Sequence, residues 1–263
     1  MVIPGTPVRR SSATAPGFPR NRLLDRLAAP ERARVLLACD HVDLAFGQVL
    51  DVPGAEAQYV YFPTSGAISS LLPMQGGHAI EVALVGDEGL HGAAFARGHA
   101  LSAVRAEVHV AGSAWRLATA DLRAMARAPA LSETVDGYLD AVRTQLVQAT
   151  GCHRFHCVEQ RVARWLLMTA DRAHASRFGF THELLAHALG VRRVGVTNAA
   201  GALQRRALIA CERGVVAIVD RRGLERASCA CYRADLQAYE RALPPAVPPA
   251  PARWRPSRTY AAG

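Results

Sequence analysis

The chain has 263 residues, half of them hydrophobic, with 31 basic against 22 acidic side chains and a formal charge of +9. It carries enough apolar residues for one large core or two modest ones, and no run of about 18 or more apolar residues that would cross a membrane. Arg9 and Arg10 have no apolar stretch behind them, as a secretory signal would need; six cysteines without such a signal fit reduced thiols and a cytoplasmic location.

Residues 1–20, rich in Pro, Gly, Ser, Thr and Arg, are expected to form a disordered arm. Asn21 to Cys39 reads as helical, with Leu23, Leu24, Leu27, Val35 and Leu36 as its apolar positions. From His41 the period changes to two. Val42, Leu44 and Phe46 alternate with polar or small residues, and further strands are expected at 59–62, 67–72, 79–85, 104–110 and 113–117. Gly76-Gly77 and Gly86-Asp87 mark turns, and Asp87-Glu88 reads as a solvated acidic pair. Seven or eight short strands with frequent turns predict a β-roll or jelly roll over 21–128.

A short helix is expected near 120–126, then a long one over 129–150. Leu131, Val135, Leu139, Val142 and Leu146 recur at intervals of three and four, close to a heptad seam. The competing reading packs that seam onto the chain's own β domain; a two-fold contact is preferred, since a symmetric protein matches paired half-sites on DNA. Another helix, Val158 to Ala173, should bury Val162, Trp165 and Leu166.

Residues 180–209, FTHELLAHALGVRRVGVTNAAGALQRRALI, read as two helices joined by a tight turn. Thr181 is an expected N-cap, and Gly190 stands where a helix end needs positive φ. The second helix is expected from Arg192 to Arg206. Val196, Ala199, Ala200 and Leu203 form its inner face, and Arg192, Arg193, Thr197, Asn198 and Arg205 its outer one. Arginines on the first turn with short polar side chains behind them suit a DNA major groove. ACERGVVAIVD then reads as a hairpin turning at Arg213-Gly214, a wing whose tip could reach a phosphate. Charge agrees with this placement. Residues 21–150 hold 10 Arg and 14 acidic groups, whereas 151–226 hold 13 Arg and 6 acidic groups, so the excess of positive charge lies where a polyanion would bind. A winged helix-turn-helix domain is expected over 151–223, a C-terminal helix over 224–243 and a disordered tail over 244–263.

Helix, β-roll, long helix and winged helix-turn-helix, in that order over about residues 21–232, resemble the Crp/Fnr family of bacterial transcription regulators. VEQRVARWLLMTADR, the helix-turn-helix and VYFPTSGAISSLLPMQGGHAIEVALVGDEGLHG carry the resemblance. It implies an α+β fold, a homodimer on double-stranded DNA, an RNA polymerase partner, a small-molecule effector of unknown identity and no membrane association. It also implies a ligand pocket built from Glu81, Gly86, Asp87, Glu88, Ser102 and Arg105. Departures from the family pattern bear on that pocket. Where a cyclic phosphate would meet an Arg, the chain reads Ala100-Leu101-Ser102-Ala103, and a cyclic nucleotide is not expected. Only Cys39 precedes residue 150, which leaves no N-terminal cysteine set for an iron–sulfur cluster. His41, His78, His91 and His99 are available as haem ligands, but each reads more readily as a surface or structural histidine, and no haem is expected. On the recognition helix Val194 stands where the family often has a Glu that reads cytosine, while Arg193 keeps the position suited to guanine.

Cys152, His153, His156 and Cys157 look like a metal set. On one helix, however, they form two i, i+4 pairs on different faces, and no metal is expected from them. Cys229 and Cys231 are expected on the final helix. No catalytic motif is present, so the chain does not read as an enzyme. Two alternatives to a regulator remain: a small-ligand-binding signalling protein that no longer binds DNA, and a metal- or redox-dependent switch.

Overall fold

The structure is a computed structural model that describes residues 19–243. The tail at 244–263 and nearly all of the N-terminal arm lie outside the described residues.

A short 3-10 turn at Leu24–Arg26 leads into α1 (Ala29–Leu37). The expectation of one helix over 21–39 is corrected. Leu27 is extended, with φ −69 and ψ 144, and Pro30 starts a new helix, where its fixed φ and missing N–H are tolerated.

Five antiparallel strands follow: β1 (Asp40–Leu44), β2 (Val49–Asp51), β3 (Tyr59–Pro73), β4 (Ala79–Val85) and β5 (Arg105–Ala118). Their order is β1-β5-β3-β4, with β2 also on β5. The expected seven or eight short strands are thus fewer and longer. The β3/β5 register shifts between Pro63 and Ile68, and Gly66 has φ +76. These bulges bend the two long strands without ending them, so each reads in sequence as two short ones.

After α2 (Thr119–Met125) comes α3 (Pro129–Phe155), five residues longer than expected. Leu131, Val135 and Tyr138 belong to the core under the β-roll, with Val60, Phe62, Leu117 and Leu122. Leu131 and Val135 are therefore filled by the chain's own core, which removes the first half of the expected dimer seam. Leu139 and Val142 pack against that core only in part, and Leu146 is 40% exposed.

The second core belongs to α4 (Val158–Ala173), β6 (Arg177–Gly179), α5 (His182–Leu189), α6 (Arg193–Arg205), β7 (Ile209–Glu212) and β8 (Val215–Ile218). Val162, Trp165, Leu166 and Leu167 of α4 are its floor; burying each contributes about 1.5–3 kcal/mol. The wing is a three-stranded sheet, β6-β8-β7. Strand β6 escaped the sequence reading because three residues are too few to show a period. The expected helix over 224–243 is two helices, α7 (Arg221–Ala227) and α8 (Cys231–Ala242). Between them Ser228 is extended, with ψ 162, and its hydroxyl donates to the Glu225 carbonyl. Helix α8 then folds back along α3, where Tyr239 donates its hydroxyl proton to Gln145 at 3.0 Å.

Candidate nucleic-acid interface

The helix-turn-helix is built by local chemistry. Thr181 Oγ1 accepts from the Leu184 amide at 3.1 Å and caps α5, satisfying one N–H that the first turn leaves without a partner. Gly190 ends α5 at φ 61. Arg192 is the N-cap of α6, one position outside the helix rather than inside it as expected. Val196, Ala199, Ala200 and Leu203 are buried, as the spacing predicts.

The opposite face of α6 is open. Arg192, Arg193, Val194, Thr197, Asn198 and Arg205 are all exposed. Among the described residues no carboxylate pairs with Arg192, Arg193, Arg205 or Arg213, whereas the neighbouring Arg206 is held by Glu159 at 2.7 Å. Thr197 Oγ1 lies 3.0 Å from His182 Nδ1 and donates back to the Arg193 carbonyl, which ties the two helices of the motif together. At the wing tip Arg213 and Gly214 have φ +46 and +80, the two positive values a two-residue hairpin turn requires. Between wing and recognition helix lies a groove of about 270 Å³. Thr181 and His182 of the first helix line it, with Arg193 from the recognition helix and Glu212 and Arg213 from the wing. Two unpaired guanidinium groups beside a capped helix N-terminus make a surface suited to phosphate oxygens and base edges.

The residues expected in a ligand pocket are placed differently. Asp87 and Glu88 are each 7% exposed, which corrects the reading of a solvated acidic turn. Glu88 Oε1 lies 2.8 Å from Arg172 Nε, on α4. Asp87 pairs with His174 at 2.8 Å and with Arg22 at 3.0 Å. Glu81 accepts from Trp165 Nε1 at 3.0 Å and from Ser69 Oγ at 2.6 Å. Burial raises its carboxyl to about 7 despite both hydrogen bonds. Gly86 is required by close approach: a Cβ there would sit 2.5 Å from the Arg172 Cβ. Ser102 donates to the Val104 carbonyl at 2.8 Å, and Arg105 pairs with Glu107 at 3.0 Å. Glu81, Asp87 and Glu88 thus bond to α4 or its C-terminal cap, and Gly86 packs on it; Ser102 and Arg105 instead bond to near neighbours in the chain. This packing was invisible in the sequence, because Arg172 and His174 lie more than 80 positions from their partners.

The cysteine cluster also regroups. Cys152 and His156 of α3 stand with Cys229 and Cys231 of the α7–α8 junction; His153 and Cys157 do not take part.

The chain thus joins a β-roll to a winged helix-turn-helix through a long helix, and sequence comparison identifies the helix-turn-helix part. Residues 160–227 match the family described as the Crp-like helix-turn-helix domain. No curated protein matches the chain. Solved structures do. CLP of Xanthomonas campestris, described as a c-di-GMP-responsive global regulator, is 15% identical with a TM-score of 0.60, over 73% of this chain and 99% of that one. FixK2 of Bradyrhizobium japonicum is 16% identical, TM-score 0.61, over 73% and 98%. A CRP-family transcriptional regulator of Thermus thermophilus is 22% identical, TM-score 0.60, over 71% and 95%. At such identities the likeness is one of fold. The chain has the Crp/Fnr-type regulator fold and carries a Crp-like helix-turn-helix domain.

Proposed function

We propose that the protein is a sequence-specific DNA-binding transcription regulator acting as a homodimer on two-fold operator sites. The observation that carries this reading is a set of four exposed arginines on the recognition helix and wing, Arg192, Arg193, Arg205 and Arg213, none of them paired with a carboxylate among the described residues; Arg193 and Arg213 line one groove. Arg193, on the first turn of α6, is the side chain for guanine O6 and N7, worth about 1–3 kcal/mol of discrimination. Asn198 reads a base or holds a phosphate. Thr181, Arg192, Thr197 and Arg205 fix the register on the backbone, and Arg213 reaches the flanking phosphates.

The dimer contact uses the outward stripe of α3. Leu139, Val142 and Leu146 recur at three and four residues there, and Val147 beside them is 69% exposed. The β-roll serves a small-molecule effector of unknown identity. Its contacts to α4 favour an effector that acts by altering them, which moves the two recognition helices relative to each other. Double-stranded DNA, a second copy of the chain and RNA polymerase are the partners, in the cytoplasm. No helix among the described residues is long and apolar enough to cross a membrane.

Mapping bound sites across the genome of the native bacterium tests the reading. A two-fold motif whose half-sites lie about one helical turn apart is expected. A purified chain that binds no duplex at low salt overturns it.

A further inference from the structure

Four side chains outside the DNA-facing surface converge where the long helix meets the DNA-binding domain. Cys152 and His156 lie one turn apart near the end of α3, Cys229 lies in the link after α7, and Cys231 opens α8. Their ligand atoms all lie within 4.8 Å of one another. Cys152 Sγ and Cys229 Sγ are 3.6 Å apart, and Cys231 Sγ and His156 Nδ1 are 3.5 Å apart. A disulfide needs its sulfurs at about 2.05 Å, so the separation is that of two free thiols. Zinc with Zn–S of about 2.3 Å and Zn–N of about 2.0–2.1 Å, in a tetrahedron, sets its ligand atoms about 3.5–3.8 Å apart. The longest separation in the cluster must close by about 1 Å to meet that geometry.

We propose that Cys152, His156, Cys229 and Cys231 form a mononuclear zinc site of the three-cysteine, one-histidine type, which clamps α8 onto the end of α3. Polar groups for such a site are in place around it. Gln148 Nε2 donates to Cys231 Sγ at 3.0 Å, and Arg164 Nη1 lies 3.9 Å from Cys152 Sγ. Arg164 is itself fixed by Asp235 of α8 at 2.5 Å. Three thiolates and a neutral imidazole on a divalent cation leave one net negative charge, and the Arg164 guanidinium stands beside it. Zinc takes the cysteines as thiolates, so its binding at neutral pH releases the thiol protons to solvent. An iron–sulfur cluster would spread its cysteine sulfurs across two or more irons, wider than this group allows. The three cysteines are 0%, 4% and 1% exposed as residues and form an apolar cluster of their own, which shields a metal from exchange. His156 is followed directly by Cys157, the N-cap of α4. An ion here therefore holds the hinge between the long helix and the DNA-binding domain.

The test uses the full chain, purified under reducing conditions, stripped with a chelator and titrated with Co(II), then with Zn(II). We expect one Co(II) per chain, with the intense visible bands and thiolate charge-transfer absorption of tetrahedral cobalt, bleached by one equivalent of Zn(II). Cys229→Ser and the pair Cys152→Ser with Cys231→Ser should lose binding at least tenfold; Cys157→Ser and Cys211→Ser should not. In the unaltered chain, bound zinc should protect Cys152, Cys229 and Cys231 from alkylation, read by peptide mass, while Cys157 reacts. That readout needs no variant to fold and does not depend on DNA binding. Weak octahedral cobalt bands, binding that survives Cys229→Ser, alkylation of all three thiols in the presence of zinc, or a Cys152–Cys229 disulfide in place of a metal would each overturn the proposal.

Discussion

Arg172 Nε lies 2.8 Å from Glu88 Oε1, with both side chains almost fully buried. One comes from α4 of the DNA-binding domain, the other from the turn after β4 of the β-roll. The same guanidinium donates to the Leu84 carbonyl at 2.8 Å and lies 5.6 Å over the Tyr239 ring of α8. Through Tyr239 it reaches Gln145 of α3. One arginine thus joins the β-roll, the long helix, the C-terminal helix and the DNA-binding domain.

Removing only one partner of such a pair strands the other charge in a low-dielectric interior. Arg172→Ala should cost about 3–5 kcal/mol of stability, measured by urea denaturation. The double variant Arg172→Met with Glu88→Leu should recover much of the loss, since no charge is then left buried. A single-variant loss below about 1 kcal/mol would mean that the pair is open to solvent.

Glu81 gives the same interface a pH dependence. Its carboxyl is raised from 4.5 to about 7, chiefly by burial and against the hydrogen bonds from Ser69 and Trp165. Between those values the folded chain keeps a proton that the unfolded chain has lost, so stability contributed by this group falls as pH rises from about 4.5 to 7. Glu81→Gln keeps an acceptor for Trp165 and carries no charge. It should match the parent near pH 4.5 and exceed it by about 1–3 kcal/mol at pH 8. Thermal melts across that range decide the matter, and parallel curves for the two proteins would refute it.

The outward stripe of α3 makes a separate prediction. With Leu131 and Val135 consumed by the core, the proposed dimer contact rests on Leu139, Val142 and Leu146. Leu146→Asp places a charge in that seam at an exposed position, so the monomer fold should survive. Sedimentation equilibrium should show a dimer for the parent and at least a tenfold weaker one for the variant. An unchanged dimer would move the interface elsewhere.

What the sequence disclosed and withheld divides by the range of the forces involved. Thr181 and Gly190 declare the ends of α5 because capping and positive φ are properties of a few adjacent residues. The inner face of α6 follows from spacing alone, and β4 was read at its observed bounds. Glu88 looked solvated because Arg172, which buries it, lies far along the chain. Leu131 and Leu146 carry the same periodic signal, yet one meets the β-roll and the other does not. The cysteines mislead most. Within 152–157 two local pairs diverge on a helix, and the second half of the cluster arrives 77 residues later, after a helix break at Ser228–Ala230 that no period in the sequence marks.

Arg193 and Arg213 face the same groove but should fail differently. Arg193 projects from the first turn of α6, whose neighbours Thr197 and Asn198 are also exposed, so its loss should fall on one base pair of the operator. Arg193→Ala should weaken the specific site by about 1–3 kcal/mol and relax preference at that position. Arg213 sits at the wing tip at φ +46, so the informative replacement is Asn, which tolerates that backbone and removes the charge. Arg213→Asn should weaken all duplexes alike and lower the salt slope of log K by about 1. Fluorescence anisotropy on the mapped operator, on single-base variants and on an unrelated duplex, each at several salt concentrations, separates the two effects. Equal losses of both variants on every duplex would place Arg193 on the backbone and leave base reading to other side chains of α6.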